Sequence, residues 1–285
     1  MKILVIGDLH GNKPKIHFKG FDAIIAPGDF CSDSFKKYIF QVLNEKNSNP
    51  QYKKNWYDIV GKSNAKQMMQ KSVKDGRKIL EFLNSFDVPV YVVPGNWDWA
   101  QTTKSWDWKR RRYYKELIKD LENIVNVHRK IRNLGQETQI IGFGITSGPE
   151  YPQDKTTLKE KTKGELERKR REYQHLLKRI DLLFRRSEKP VIFLTHNVPY
   201  NTRLDEITEK FSNRYGLHYG SLVARKMIEK YQPLISIGGH MHEHFGKDRI
   251  KRTICLNSGY GSDVNTLIEL KQGKVKHLDF WGEQK

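Results

Sequence analysis

The chain has 285 residues, 37% of them hydrophobic and 30% charged, with a formal net charge of +19. This length suffices for one large α/β domain, and the charge favours polyanions such as nucleotides, nucleic acid or an anionic membrane surface, although a solvated basic surface gives the same number. Two cysteines, Cys31 and Cys255, exclude a disulfide framework, and no apolar run is long enough for a signal peptide or a membrane span, so we expect a cytoplasmic protein without a membrane contact.

Short β-branched runs recur along the chain and predict strands. Most of these runs are continuously apolar, as is typical of strands that are buried on both faces. The last two are separated by Gln272 and Gly273, which favours a terminal hairpin. We expect strands at 2–6, 22–26, 88–93, 138–143, 191–195, 234–237, 253–256, 266–270 and 274–280.

Helical periodicity lies between these runs, at 79–86, 114–121 and 222–231. The mixed order of strands and helices predicts a layered α/β arrangement. Without internal repeats or Gly/Ser linkers, we expect a single domain over residues 1–285. Two segments have the character of insertions: 44–70 is polar, and 154–189 is rich in Lys and Arg and predicts a helix that docks on the body or caps the site.

Metal-capable residues follow five of the predicted strands. Hydrolysis of a phosphate ester at neutral pH needs a hydroxide nucleophile and neutralised phosphoryl oxygens, and two bridged cations roughly 3.5–4 Å apart supply both. A carboxylate offers two oxygens for bridging, and a mixed nitrogen and oxygen set suits Mn, Fe or Zn. The carboxyl ends of strands are where α/β sheets place such sites. The candidate ligands, in chain order, are Asp8, His10, Asp29, Asn96, His196, His240 and His242.

The motifs occur in the order Gly7-Asp8-Leu9-His10-Gly11, Gly28-Asp29, Gly95-Asn96-Trp97-Asp98, Thr195-His196 and Gly239-His240-Met241-His242. This order, from Asp8 to Asn257, resembles the calcineurin-like metallophosphoesterase superfamily. The resemblance implies a four-layer α/β/β/α sandwich and two divalent metal ions, Mn²⁺ foremost, with Fe, Zn, Ni or Co as alternatives. It assigns Asp8, His10 and His242 to the first metal. It assigns Asn96, His196 and His240 to the second, with Asp29 bridging and with Asp8, Asp29, Asn96 and Asp98 in catalysis.

The chain departs from the family pattern at Trp97. Relatives usually have His at this position, which contacts a phosphoryl oxygen or protonates the leaving group and is oriented by the following Asp, here Asp98. Indole has one N–H donor and no titrating proton. General acid catalysis typically contributes 10²–10⁴-fold, so we expect a phosphodiesterase and not a general phosphomonoesterase. Another histidine, His218 or His244, is a possible replacement for proton transfer.

Trp97 also begins an aromatic and basic stretch that runs to Tyr114. Indole faces stack on bases and arginines neutralise phosphates, so this stretch suits a nucleotide or single-stranded substrate. The alternative is that these tryptophans pack in the core and that the arginines form a solvated face. Candidate substrate contacts are Trp97, Asn12, Asn197, His218, Arg110 and Arg111.

Three functions remain open at this stage. The expected function is a dinuclear-metal phosphodiesterase that cleaves a nucleotide or nucleic-acid diester by attack of metal-bound hydroxide. A second class is a non-catalytic scaffold with this fold, which only Trp97 favours, because every expected metal ligand is present. A third is a nucleotide pyrophosphatase or a phosphoprotein phosphatase.

Overall fold

The structure is a computed structural model that describes residues 1–49, 51–100, 113–159, 161–210, 212 and 214–282. These residues form strands and α-helices in mixed order. The strands are β1 (Lys2–Ile6), β2 (Ala23–Ala26), β3 (Val90–Val92), β4 (Ile124–Asn126), β5 (Ile131–Leu134), β6 (Thr138–Phe143), β7 (Val191–Asn197), β8 (Ile235–Gly239), β9 (Gly246–Ile250), β10 (Thr253–Asn257), β11 (Asn265–Lys271) and β12 (Lys274–Trp281). The helices are α1 (Lys36–Ser48), α2 (Trp56–Val60), α3 (Lys62–Asn84), α4 (Tyr113–Leu117), α5 (Lys155–Lys159), α6 (Lys163–Arg185) and α7 (Leu222–Tyr231).

The strands form two mixed sheets of six within the described residues. The first has the order β12-β11-β1-β2-β3-β4, and the second has the order β5-β6-β7-β8-β10-β9. Neighbours β1 to β4 pair in parallel, as do β6, β7, β8 and β10. Apart from the outer strand β4, the parallel strands are central and almost wholly buried, which explains their continuous apolar runs.

Apolar side chains pack these elements in four layers. One core cluster joins the two sheets face to face, and Val5 and Ile25 meet Leu194 and Ile237 there. A second lies between the first sheet and α3 and α4, and a third between the second sheet and α6 and α7. The order of layers is therefore helix, sheet, sheet, helix, and the predicted α/β/β/α sandwich is confirmed.

A smaller aromatic cluster lies outside the first sheet. It joins α1, α2 and α3 through buried Phe35, Trp56 and Tyr57, and Trp97 and Trp99 pack against it. Segment 44–70 therefore supplies the end of α1, all of α2 and the start of α3. That 44–70 and 154–189 are insertions into a single domain stays a prediction.

The structure differs from the predicted elements mainly at the sheet edges. β4, β5 and β9 are absent from the prediction, and each is the outer strand of its sheet. The predicted helix over 154–189 is two helices, because Thr162 and Glu165 form a capping box that begins α6 anew. None of the helices in the described part of the chain is both long and apolar enough to cross a bilayer.

Candidate metal centre

The predicted ligands converge at the carboxyl ends of the parallel strands. Asp8 and His10 follow β1, Asp29 follows β2, Asn96 follows β3, His196 lies near the end of β7, and His240 and His242 follow β8. Their ligand atoms form two overlapping groups, each with all members within 4.8 Å of one another. The groups are Asp8, Asp29, His196 and His240, and Asp8, His10 and His242.

Asp29 lies between residues that the family pattern assigns to different metals. Its Oδ2 atom is 3.8 Å from Nε2 of His10 and 3.4 Å from Nε2 of His196. Nε2 of His196 is also 2.8 Å from Oδ1 of Asn96. One carboxylate oxygen thus faces a ligand of each predicted metal, as bridging requires. Asp8 also takes part in both groups, since its Oδ2 lies 3.1 Å from Nε2 of His242.

Strained backbone positions hold several of these side chains. His10, Asp29 and His240 have φ values of 45°, 55° and 70°, in the left-handed region that non-glycine residues seldom adopt. Such strain concentrates at functional sites. Gly95 and Gly239 allow the close approach, because a Cβ on Gly95 would overlap Asp29 Oδ1 and a Cβ on Gly239 would overlap Asp8 Oδ1.

Hydrogen bonds from the end of β10 and from the residue after it hold the loop of His240 and His242 in place. The Asn257 side-chain amide donates to the Met241 carbonyl at 2.6 Å, and its oxygen accepts from the Gly259 N–H at 3.0 Å. The Ser258 hydroxyl donates to the Gly238 carbonyl at 2.7 Å. Met241 lies between His240 and His242, so this bracing fixes the loop that carries both rings.

The electrostatics of the cluster reflect close carboxylates and imidazoles. Burial raises the pKa of Asp29, but the charge and hydrogen bond of His196 and the charge of His10 outweigh it and hold the pKa well below its usual value. Burial lowers the pKa of His196, yet the charge and hydrogen bond of Asp29 raise it to about 9. Burial and then the charge of His196 lower the pKa of His240 to about 4. Ionised Asp29 therefore favours positive charge beside it, as the raised pKa of His196 reflects.

The residues present fit divalent metal ions. Asp8 Oδ1 is buried and has no hydrogen-bond partner among the described residues, and Nε2 of His10 faces Nε2 of His242 at 3.3 Å. The Nδ1–H of His196 donates to the Pro27 carbonyl at 3.0 Å, which leaves Nε2 directed at the cluster. Carboxylate, amide and imidazole donors together suit Mn, Fe or Zn.

Asp98 has partners that the sequence did not suggest. It is fully buried, and its Oδ2 accepts from the backbone N–H groups of Asp29 and Gly95, both at 2.8 Å. Its Oδ1 accepts from the N–H groups of Phe30 and Cys31 at 2.8 and 3.1 Å. Asp98 thus joins the loop of Asp29 to the loop of Asn96. Its expected role in catalysis stays a prediction.

That bonding pattern also bears on the protonation of Asp98. Burial, followed by the charge of Asp29, raises the pKa of Asp98 to about 7, against the backbone hydrogen bonds from Gly95 and Cys31 that lower it. All four N–H donors favour the ionised carboxylate.

The Trp97 ring lies beside His10, which the family pattern assigns to the first metal. Its backbone N–H donates to Asp29 Oδ1 at 2.8 Å. The ring meets His10 edge-on with centroids 6.3 Å apart and meets Phe35 edge-on at 5.4 Å. The residue is half-buried.

The other predicted substrate contacts have varied surroundings. Asn12 lies near the cluster, where its amide donates to the Tyr260 hydroxyl at 2.6 Å. Asn197 is fully buried and donates to the Tyr219 carbonyl at 3.0 Å, and its contact with the substrate stays a prediction. His218 Nδ1 lies 2.8 Å from Asp205 Oδ1 and lines a separate cavity with Lys169 and Arg214.

Two further expectations concern residues with other partners or outside the structure. His244, the other candidate for proton transfer, is bonded through Nε2 to the Glu206 carbonyl at 2.5 Å. Arg110 and Arg111 lie outside the described residues.

Two residues beside the cluster were missed from the sequence. The Tyr260 ring stacks on His10 with centroids 6.1 Å apart and also contacts His242 at 5.3 Å. Asp33 Oδ2 lies 3.8 Å from Nδ1 of His10 and pairs with Lys36 at 2.8 Å. Tyr260 follows the Asn257-Ser258-Gly259 motif, which could have indicated it. No sequence signal marks Asp33.

Known structures are similar to this chain over nearly its whole length. One crystal structure is 16% identical, covers 98% of each chain and has a TM-score of 0.63. TT1561 of Thermus thermophilus is 15% identical, with 98% of this chain and 97% of that chain covered and a TM-score of 0.53. Phosphopantetheinyl hydrolase (PptH) from Mycobacterium tuberculosis is 13% identical, with 91% and 90% covered and a TM-score of 0.53. At these identities the likeness shows the fold.

The family is given by the sequence model. No curated protein matches the chain. The model of the calcineurin-like phosphoesterases matches residues 1–244, a region that contains every predicted ligand. The chain therefore belongs to the calcineurin-like phosphoesterase family and is a metal-dependent phosphoester hydrolase.

Proposed function

We propose that the chain is a phosphodiesterase that hydrolyses a nucleotide or nucleic-acid diester at this cluster. The observation that carries the proposal is Trp97, whose indole lies beside His10 where the family usually has a proton-donating histidine. An indole cannot donate a titrating proton to a leaving alkoxide. The loss of a proton donor costs most where the leaving group is a poor one, so it argues against a general phosphomonoesterase and leaves diester hydrolysis open.

The proposed roles follow from the donor set. Asp8, His10 and His242 would hold one divalent ion, and Asn96, His196 and His240 the other, with Asp29 shared. Mn²⁺ is our preferred metal. Bound ions would activate water and neutralise phosphoryl oxygens.

The chain's own groups orient this arrangement. Asp98 aligns the Asp29 and Asn96 loops through four backbone hydrogen bonds, and the Pro27 carbonyl fixes the His196 ring. Asn12, paired with the Tyr260 hydroxyl, supplies a polar group beside His10 for the substrate. The formal net charge of +19 supports an anionic substrate of the nucleotide or nucleic-acid class.

The test compares initial rates on an aryl phosphodiester and the matching monoester, with Mn²⁺ and with chelator. We expect metal-dependent cleavage that favours the diester. Trp97→His should raise the ratio of alkyl to aryl monoester rates by roughly 10–100-fold, because an alkoxide needs a proton to leave and an aryl oxide does not. Trp97→Phe is the matched control and should leave the ratio near wild type. Metal-dependent turnover that favours the monoester in the wild-type enzyme would contradict the proposal.

A further inference from the structure

A small aromatic cavity opens directly beside the metal cluster. Its volume is about 320 Å³, and the proposed ligand Asn96 forms part of its wall. Within the described residues the remaining wall consists of four aromatic rings, one aliphatic side chain and one hydroxyl: Phe35, Trp56, Trp97, Trp99, Ile39 and Ser147. Such a volume is at the lower end of the range for ligand sites, so it suits one group and not an extended chain.

The aromatic wall is fixed by contacts among its own rings. Phe35 stacks on Trp56 with centroids 4.6 Å apart and planes 21° apart, and it packs against Trp99 at 5.8 Å. The Trp99 indole N–H donates to the Ser72 hydroxyl at 3.3 Å. Phe35 and Trp56 are almost fully buried, so these rings form a pre-ordered wall.

The wall is also joined to the metal cluster. The Trp97 ring meets both Phe35 and His10 edge-on, and its backbone N–H donates to Asp29 Oδ1. A group held in the cavity would therefore be held next to the phosphate that the cluster binds. The cavity belongs to the substrate side of the site.

We propose that this cavity binds one heteroaromatic base of the substrate, which makes the enzyme selective for a mononucleotide diester or a chain end. The inference rests on the proposed function only in that the phosphate attached to this base is cleaved at the metal cluster. Base–aromatic stacking contributes about 1–3 kcal/mol per base and tolerates any base. Four rings around a one-group cavity match a planar ring, and Ser147 adds a hydroxyl at the rim that a base edge can use. An alkyl chain would not use that hydroxyl.

The experiment fills the cavity from two sides. Ile39→Trp enlarges a half-buried residue of α1, and Ser147→Trp enlarges an exposed residue at the rim. Leu43→Trp is the matched control, because Leu43 lies one turn further along α1, is 45% exposed and does not line the cavity.

Two readouts separate this inference from the proposed function. The first is binding of adenosine, with ribose as reference, by equilibrium dialysis in chelator. The second is the ratio of kcat/KM for adenosine 5′-(p-nitrophenyl) phosphate to that for methyl p-nitrophenyl phosphate, with Mn²⁺. Ile39→Trp and Ser147→Trp should each lower adenosine affinity and the ratio by about tenfold or more, and Leu43→Trp should change neither.

Unchanged adenosine binding in both cavity variants would overturn the inference. A cavity variant that keeps adenosine binding but loses selectivity for hexyl over methyl p-nitrophenyl phosphate would also overturn it, because the cavity would then bind an alkyl chain. Cavity-dependent adenosine binding without any diester turnover would support the inference and sink the proposed function.

Discussion

Replacement of Asp98 by Asn isolates the link between the buried carboxylate and the metal ligands. Each oxygen of Asp98 accepts two backbone N–H groups. An amide of nearly the same shape keeps one oxygen and places an NH₂ group against two N–H donors. In either orientation, two buried donors lose their acceptor. At about 1–3 kcal/mol for each unsatisfied buried group, Asp98→Asn should cost roughly 2–6 kcal/mol of the free energy of unfolding.

The same substitution should also weaken metal binding. Two of the donors belong to Asp29 and Gly95, so the carboxylate sets the position of the Asp29 side chain and of the adjacent Asn96. Loss of such outer contacts typically lowers metal affinity about 10–100-fold. Guanidinium titration measures the stability, and Mn²⁺ competition against a chromophoric chelator, well below the unfolding midpoint, measures the affinity.

Asp205 offers a matched control for this variant. It is also fully buried, and it accepts the N–H groups of Asn201, Thr202 and Gly220 at 2.8–3.0 Å as well as facing His218. Asp205→Asn should therefore lose stability of similar size while metal affinity stays near wild type. Equal metal affinities in the two variants would refute a positioning role for Asp98.

Two further changes test the close approach of Gly239 to Asp8 and the dependence of stability on pH. Gly239→Ala should lower Mn²⁺ affinity at least about tenfold, because the added Cβ overlaps Asp8 Oδ1. Gly164→Ala is the control, because a Cβ there meets nothing within 4 Å. Equal Mn²⁺ affinities in the two variants would contradict the role of Gly239 in placing Asp8. Burial, followed by the charges of Arg129 and Arg179, lowers the pKa of His128 to about 3. The neutral His128 ring therefore favours the folded state above pH 6.5, and this contribution to the free energy of unfolding is lost as the pH falls from 6.5 towards 3. The free energy of unfolding should fall by at most about 1.4 kcal/mol per pH unit. His128→Asn keeps an acceptor for the Gly144 N–H and should make this pH dependence smaller. An unchanged pH dependence in urea titrations would contradict the role of His128.

The central strands could be predicted from the sequence because they are buried on both faces. β1, β2 and β7 read as apolar runs, and a predicted ligand lies at or just after the end of each. The outer strands β4, β5 and β9 were not predicted. β9 has the sequence Gly-Lys-Asp-Arg-Ile and β5 has Arg132 and Asn133 at its centre, since an edge strand needs less apolar surface.

The candidate site divides in the same way. The ligand types and their order could be predicted, because the chemistry restricts them to Asp, His and Asn after strands. The contacts of Asp98, Asn197 and Tyr260 could not, since each depends on loops that are distant in the sequence. Asp98 illustrates this best, because its acceptors serve Phe30 and Cys31 across 67–68 residues of chain.

The most direct test of the account is metal stoichiometry in the wild-type protein and in Asp29→Asn. Calorimetric titration of the metal-free protein with Mn²⁺ should give two ions per chain, with diester cleavage appearing as the second ion binds. Because the shared carboxylate is altered, Asp29→Asn should retain one ion at most and lose activity. Two tightly bound ions and wild-type turnover in Asp29→Asn, or a single ion in the active wild-type enzyme, would contradict the two-metal centre.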